Sequence, residues 1–227
     1  ILVELKGGND GLNTLVPYKN KDYKRIRKNL SLDSGQVNPI DKSLGLGLNK
    51  DLEFLTSQFK SKSLAIFHSV GYENPNKSHF RSIDIWDTAV ESDDSSTQGW
   101  ITSALQGNIG ANAASKGIIL GDNNLGPLRG SKQKILVVDN LQQMLRSQKL
   151  FDNYDLGGNR ALKHLLNVEG QVIEQLKSLD GKVDFQKSKG KGLTKNINIL
   201  LQLVKADPNI PFYKLTLGGF DTHVNQK

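Results

Sequence analysis

The sequence contains no cysteine, which excludes disulfide bonds, thiolate metal ligands and a cysteine nucleophile. Cysteine-free chains suit a reducing cytoplasm, and they equally suit exported proteins that avoid unpaired thiols. No apolar run is long enough to span a membrane, and no signal peptide is visible. The chain opens inside an apolar segment without a methionine, so we expect a processed or incomplete polypeptide, and the sequence leaves open whether an export signal was removed.

Acidic residues are fewer than basic ones, and the formal net charge is +7. The lysines are spread over stretches such as 19–28 and 182–195, which we interpret as a solvated surface. A nucleic-acid-binding protein would cluster arginine with interleaved aromatic residues, and this sequence does not, so nucleic acid is not an expected partner. Anionic substrates or surfaces agree with the charge.

Strand-like and helix-like segments alternate along the chain. This pattern predicts one α/β domain over residues 1–227, with a mainly parallel sheet covered by helices on both faces. Phe80 and Trp86, on the helix that starts at Ser78, are interpreted as core residues rather than as a substrate platform. The predicted strands are 1–5, 64–68, 117–120, 135–138 and 212–217, and the predicted helices are 49–59, 78 onward, a short one capped by Asn140, 159–179 and 194–205.

Two glycine-flanked acidic loops follow strand-like runs at opposite ends of the chain. The first carries Asp10 between Asn9 and Asn13, and the second carries Asp221 and His223. Ligands in open α/β sheets gather beyond the carboxyl ends of strands, so these loops are expected to converge. Asp10 is either a bridging carboxylate for one or two divalent cations, with Asn9 or Asn13 adding an oxygen ligand, or a turn-capping residue. The pairing of Asp221 with His223 favours zinc, manganese or iron over calcium, although D-x-H is a weak motif that ordinary solvent-exposed polar residues also produce.

Ser78 stands where a helix is predicted to begin. Its hydroxyl either caps the helix or acts as a nucleophile, since a helix N-terminus attracts phosphate or sulfate and a nearby cation would lower the hydroxyl pKa. His79 is a further candidate ligand or hydrogen-bonding group, and Arg81, one turn into the helix, is a candidate contact for an ester oxyanion.

Several segments together resemble the bacterial family known as domain of unknown function 1501, which is grouped with the alkaline phosphatase and sulfatase superfamily. The resemblance runs through nearly the whole chain in order. It rests on Gly7-Gly8-Asn9-Asp10-Gly11-Leu12-Asn13 with Pro17, Gly71-Tyr72 with Pro75, Ser78-His79-Phe80-Arg81-Ser82, Ile85-Trp86, Gly99-Trp100 and Gly218-Gly219-Phe220-Asp221-Thr222-His223-Val224-Asn225-Gln226.

The resemblance implies a doubly wound, alkaline phosphatase-like α/β fold with metals at the carboxyl edge of the sheet. It implies that Asp10 bridges metals, that Asp221 and His223 bind a second metal, and that Ser78 is the nucleophile. It also implies twin-arginine export to the periplasm or the cell exterior. Two features depart from the family: the D-x-H spacing replaces the superfamily's commoner D-x-x-x-H, and the chain ends at Lys227, before a T-D-H-G segment that would supply further ligands.

The resemblance and the loops lead to two functional hypotheses. The first is a hydrolase of phosphate or sulfate esters that uses one or two divalent ions, namely zinc, manganese, iron or calcium, with metal-activated Ser78 attacking an anionic ester. The second is a non-catalytic exported or cell-surface binding or assembly protein that keeps the fold without a complete metal site.

Overall fold

The computed structural model describes residues 1–105, 115–131, 135–138 and 192–221. The predicted helix at 159–179 and the helix capped by Asn140 lie outside this range. The chain forms two compact units. The parallel-sheet unit comprises Ile1–Glu4 and Tyr72–Leu217, and the antiparallel-sheet unit comprises Leu5–Gly71 and Gly218–Lys227. The single domain inferred from the sequence stays a prediction.

The described strands and helices follow one another in a fixed order along the chain. They are β1 (Leu2–Leu5), α1 (Gly11–Thr14), β2 (Leu15–Val16), α2 (Lys21–Ile26), a 3-10 helix (Ser34–Gln36), β3 (Val37–Asp41), β4 (Leu46–Asn49), a 3-10 helix (Lys50–Leu52), α3 (Glu53–Lys60), α4 (His79–Thr88), α5 (Trp100–Ala104), β5 (Gly117–Leu120), a 3-10 helix (Gly126–Leu128), β6 (Ile135–Val138), α6 (Gly192–Ala206) and β7 (Tyr213–Leu217).

The parallel-sheet unit is built on a four-stranded sheet of order β1-β7-β5-β6, in which β5 pairs in parallel with both β6 and β7. Successive residues of β5 point to opposite faces of this sheet. Ile118 packs in a cluster with Ile199 and Leu203 of α6, whereas Ile119 packs in a second cluster with Ile101 of α5. Both isoleucines of β5 are fully buried, and burying such a side chain stabilises the fold by about 2 kcal/mol. The mainly parallel α/β character predicted from the sequence is confirmed.

The antiparallel-sheet unit contains three described strands in the order β2-β4-β3. The sequence pattern predicted none of these strands. The β3–β4 turn depends on Asp41, whose side chain accepts hydrogen bonds from the backbone N–H of Ser43 at 2.8 Å and of Leu44 at 2.9 Å. The Ser43 hydroxyl also donates to this carboxylate, and its hydrogen bond is the largest of the causes that lower the pKa of Asp41. The two backbone bonds lower the pKa further. Gly45 completes the turn in the left-handed region, at φ +66°. The strands are short and contain Pro39 and Gly47, which weaken the strand pattern in the sequence.

Most predicted elements within the described residues are confirmed. Asn49 caps the helical stretch that continues into α3, with its side chain accepting from the N–H of Asp51 at 3.1 Å. The strands β5, β6 and β7 and the helix α6 also lie where the sequence placed them. Among the described residues, every helix is too short or too polar to cross a bilayer.

Two predictions are wrong. The segment 64–68 forms no strand, because it joins neither described sheet and its apolar side chains stay partly in solvent, with Phe67 85% exposed. An apolar run becomes a strand only where a neighbouring strand satisfies its backbone groups. Phe80 and Trp86 are 89% and 52% exposed rather than in the core, because the buried face of α4 is formed by Ile85 and Thr88.

Gly99 offers a test of the packing in the parallel-sheet unit. A Cβ atom at this position would lie 2.1 Å from the carbonyl oxygen of Pro127, whereas its backbone angles of φ −73° and ψ 152° suit any residue. We expect Gly99→Ala to lower the free energy of unfolding by about 2 to 3 kcal/mol through this clash, measured by urea denaturation. Gly35→Ala, whose Cβ would meet nothing within 4 Å, is the control and should change stability by less than about 0.5 kcal/mol. Equal stability of the two variants would contradict this packing.

Candidate functional site

The first acidic loop begins with two glycines in left-handed conformation, Gly7 at φ +105° and Gly8 at φ +80°. Asp10 follows as the N-cap of α1, and its Oδ1 accepts a hydrogen bond from the N–H of Asn13 at 3.2 Å. Its backbone carbonyl accepts from the N–H of Thr14 at 2.9 Å. Asp10 therefore has the capping geometry that the sequence allowed as one of its two roles.

The second carboxylate oxygen of Asp10 is bound by the guanidinium of Arg27. The two side chains are only 24% and 20% exposed, so this ion pair is better shielded from water than a typical surface pair. Arg27 therefore supplies the positive charge that a carboxylate in this position requires.

Asn13 connects the acidic loop to α2 and to the chain after it. Its side-chain oxygen accepts a hydrogen bond from the hydroxyl of Tyr23 at 2.7 Å, and its amide nitrogen donates to the carbonyl of Leu30 at 2.8 Å. Tyr23 is buried, and its hydroxyl also accepts from the N–H of Leu32 at 2.8 Å. Asn13 thus holds the loop in place through both ends of its amide, and its predicted role as a metal ligand stays a prediction.

Asn9, the other amide predicted to support a metal, donates from its side-chain nitrogen to the hydroxyl of Thr14 at 3.0 Å. The Thr14 hydroxyl in turn donates to the Asp10 carbonyl at 2.9 Å. The amide of Asn9 is therefore oriented by α1, which fixes the direction of its carbonyl oxygen.

The second acidic loop lies directly against the first. A Cβ atom at Gly7 would be 2.7 Å from the backbone nitrogen of Asp221 and 2.9 Å from its Cβ, a space that only glycine can leave open. Gly219, at φ +98°, turns the second loop just before Asp221. The two loops, far apart in sequence, are thus in contact within the antiparallel-sheet unit, and His223 lies outside the described residues.

Ser78 lies in the parallel-sheet unit, at the N-cap of α4 as the sequence predicts. Its hydroxyl accepts from the N–H of Arg81 at 3.5 Å, and its own N–H donates to the side chain of Asn76 at 2.8 Å. Ser78 and His79 are both exposed. The local contacts of Ser78 are those of a capping residue, and its exposed hydroxyl is also open to a ligand.

Arg81 is occupied by contacts within its own unit. Its guanidinium binds Asp84 at 2.5 Å, donates to the carbonyl of Ser92 at 3.1 Å and also reaches the carbonyl of Asp94. Asp84 binds Arg129 as well, and the hydrogen bond from Arg129 is the main reason that the pKa of Asp84 lies below its ordinary value. The predicted contact of Arg81 with an ester oxyanion would require these bonds to exchange.

A metal centre needs several uncommitted ligands at one point, and the described residues do not provide them. Within residues 1–105, 115–131, 135–138 and 192–221, no three histidine, aspartate or glutamate side chains form a group that could hold a metal ion. Asp10, the predicted bridging ligand, already has its charge balanced by Arg27. Asp10 and Asp221 are two of the three predicted ligands and His223 lies outside the described residues, so the implied metal site stays a prediction.

The structure also contains a charged cluster that the sequence reading missed. Lys214, the second residue of β7, has a fully buried side chain whose Nζ lies 2.9 Å from Oε2 of Glu4 on β1 and donates to the carbonyl of Asn124 at 3.3 Å. The carboxyl of Asp87 is close by, and its burial raises its pKa even though the charge of Lys214 acts in the opposite direction. The signal in the sequence was a single charged residue inside each of two apolar strands.

Comparisons of the chain with protein-family models, with curated proteins and with solved structures gave no match. The family resemblance and the alkaline phosphatase-like form of the fold therefore stay predictions. The function of the chain has to be inferred from the side chains described above.

The buried ion pair of Lys214 predicts a large loss of stability when only one partner is removed. Lys214→Met leaves the carboxylate of Glu4, which is 25% exposed, without its cation, and we expect the free energy of unfolding to fall by about 3 kcal/mol. The double variant Lys214→Met with Glu4→Gln should recover at least half of that loss, because the carboxylate that Lys214 paired with is then neutral as well. Urea denaturation measures the stability of both variants. Lys195→Met, on the exposed surface of α6, is the control that should leave stability unchanged. A single variant as stable as this control would contradict the pairing.

Proposed function

We propose that this protein is a non-catalytic exported or cell-surface binding protein, which keeps an α/β fold while an arginine occupies the position of a catalytic cation. The ion pair between Asp10 and Arg27 carries the proposal. The location outside the cytoplasm rests on the sequence resemblance, and the net charge of +7 favours an anionic partner.

The physical reason lies in the cost of exchanging Arg27 for a metal ion. A cation that bound Asp10 would have to displace a guanidinium that is only 20% exposed. Arg27 would then keep its charge in a poorly solvated position without a carboxylate, and an unpaired charge in such a position is strongly unfavourable. Asn13, which would help to form such a site, is itself held by Tyr23 and Leu30.

Metal uptake by the whole chain tests this proposal. We expect elemental analysis of protein purified without chelator, and then offered zinc, manganese, iron or calcium, to find no stoichiometric metal. Arg27→Gln should lower the free energy of unfolding by about 2 kcal/mol, because it leaves Asp10 without its counter-ion. Arg25→Gln is the matched control, since Arg25 pairs with Asp22 on the open surface and should contribute less than about 0.5 kcal/mol. One tightly bound metal per wild-type chain would overturn the proposal.

A second candidate function, hydrolysis of phosphate or sulfate esters, is favoured by a different observation. The close approach of Gly7 to Asp221 supports convergence of the two acidic loops, as a metal site formed by Asp10, Asp221 and His223 would require. The exposed hydroxyl of Ser78 at a helix N-terminus suits an anionic ester, with His79 and Arg81 among the next three residues. Under this candidate Ser78 would be the nucleophile.

Ester turnover separates the two candidates. We expect the wild-type chain to hydrolyse aryl phosphate and aryl sulfate esters no faster than the Ser78→Ala variant does, because a binding protein needs no nucleophile. Ser95→Ala, at another exposed serine of the same unit, serves as control. The hydrolase would be established instead if the wild type and Ser95→Ala turned over an ester while Ser78→Ala lost about 1,000-fold or more in rate.

A further inference from the structure

An open groove lies on the antiparallel-sheet unit, away from the residues of both acidic loops in the sequence. Its volume is about 530 Å³, within the range of about 300 to 1,000 Å³ typical of small-molecule sites. Its walls are apolar side chains from three neighbouring segments, namely Pro39 and Ile40 of β3, Phe59 of α3, and Leu64 and Ala65 of the chain that follows.

Two lysines, Lys60 and Lys62, complete the lining of the groove, and no acidic side chain of the described residues contributes to it. Lys60 is the last residue of α3, where a cation also complements the helix dipole. Lys62 has a left-handed backbone at φ +60°, a position after a helix that usually carries glycine. Both lysines are exposed, so their ammonium groups are accessible to a ligand in the groove.

An added peptide strand is a poor occupant of this groove. β3 is an edge strand of the described sheet, but Pro39 lacks a backbone N–H, and the pairing of β3 with β4 shifts in register between Pro39 and Asp41. Both features interrupt the row of hydrogen-bonding groups that strand addition requires. The groove therefore offers apolar surface and positive charge rather than a backbone template.

We propose that this groove binds an anionic amphiphile, a single alkyl chain with a carboxylate, phosphate or sulfate head group. The alkyl chain lies against the apolar walls, and the head group pairs with Lys60 and Lys62. This inference goes beyond the proposed function, because it gives the molecule a ligand site that does not involve Asp10, Arg27 or Ser78.

Calorimetric titration of the whole chain with dodecanoate and with dodecyltrimethylammonium, both below their micellar concentrations, tests the charge preference. We expect dodecanoate to bind at least about tenfold more tightly, because two ammonium groups attract the carboxylate and repel the cationic head. Decanoate should bind about 15-fold more weakly than dodecanoate, since it has two methylenes fewer and each one removed from apolar contact costs about fourfold in affinity.

Charge reversal at the rim locates the site. Lys60→Glu with Lys62→Glu should weaken dodecanoate binding by about tenfold or more, whereas Lys42→Glu with Lys50→Glu makes the same change in net charge outside the groove and should leave it unchanged. Ala65→Phe, which partly fills the groove without changing the net charge, should weaken the binding of both amphiphiles. Urea denaturation of each variant shows whether it has retained its fold.

Three outcomes would overturn the proposal. One is that neither dodecanoate nor dodecyltrimethylammonium binds, and another is that the two bind with equal affinity. The third is a rim variant that binds dodecanoate as well as its charge-matched control does. Metal uptake and ester turnover do not enter these readouts, so failure here is distinguishable from failure of the proposed function.

Discussion

The buried ammonium group of Lys214 is the constraint on which the parallel-sheet unit depends. An ammonium with no access to water is tolerated only when its charge is paired and its hydrogen-bonding capacity is used. Glu4 supplies the charge from β1, and the carbonyl of Asn124 supplies an acceptor next to the 3-10 helix Gly126–Leu128. Gly126 lies so close that a Cβ atom there would be 2.8 Å from the ammonium nitrogen. One cation therefore determines which strand can lie beside β7 and how closely the connecting chain approaches it.

Charged side chains elsewhere in the molecule follow the same rule of local satisfaction. Asp10 is paired with Arg27, and Asp84 holds both Arg81 and Arg129. Side chains with the chemistry of an active site are thus used to hold loops and helix ends in place. This is why the Asp10 pair favours a binding protein, while the exposed Ser78 keeps the hydrolase as a second candidate.

The sequence predicted those parts of the fold that are specified locally. The run Ile118–Leu120 is continuously apolar, as a strand buried on both faces must be, Leu136–Val138 is equally apolar, and Ser78 and Asn49 are ordinary helix caps. The segment 64–68 has the same apolar character but no strand beside it, and a single sequence does not reveal which strands find neighbours.

For the candidate site, the sequence pointed to loops that do meet, at Gly7 and Asp221, yet it gave no sign that Arg27 would reach Asp10 from 17 positions away. Lys214 was overlooked because hydrophobic patterning treats a lysine as a surface residue, whereas its partner is contributed by the other end of the chain.

The distance in sequence between Glu4 and β7 also sets an order of events during synthesis. The hydrogen bond from Thr216 to Glu4 joins residues that are 212 positions apart, so β1 has to wait for almost all of the described chain before its place in the sheet exists. At synthesis rates of about 5 to 20 residues per second, that interval is about 10 to 40 s. The β3–β4 turn closes within a few residues of Asp41 and forms on a microsecond timescale. All residues of the antiparallel hairpin are therefore synthesised and able to pair long before β1 finds its partner, and until then the apolar residues of β1 are exposed to chaperones and to other nascent chains.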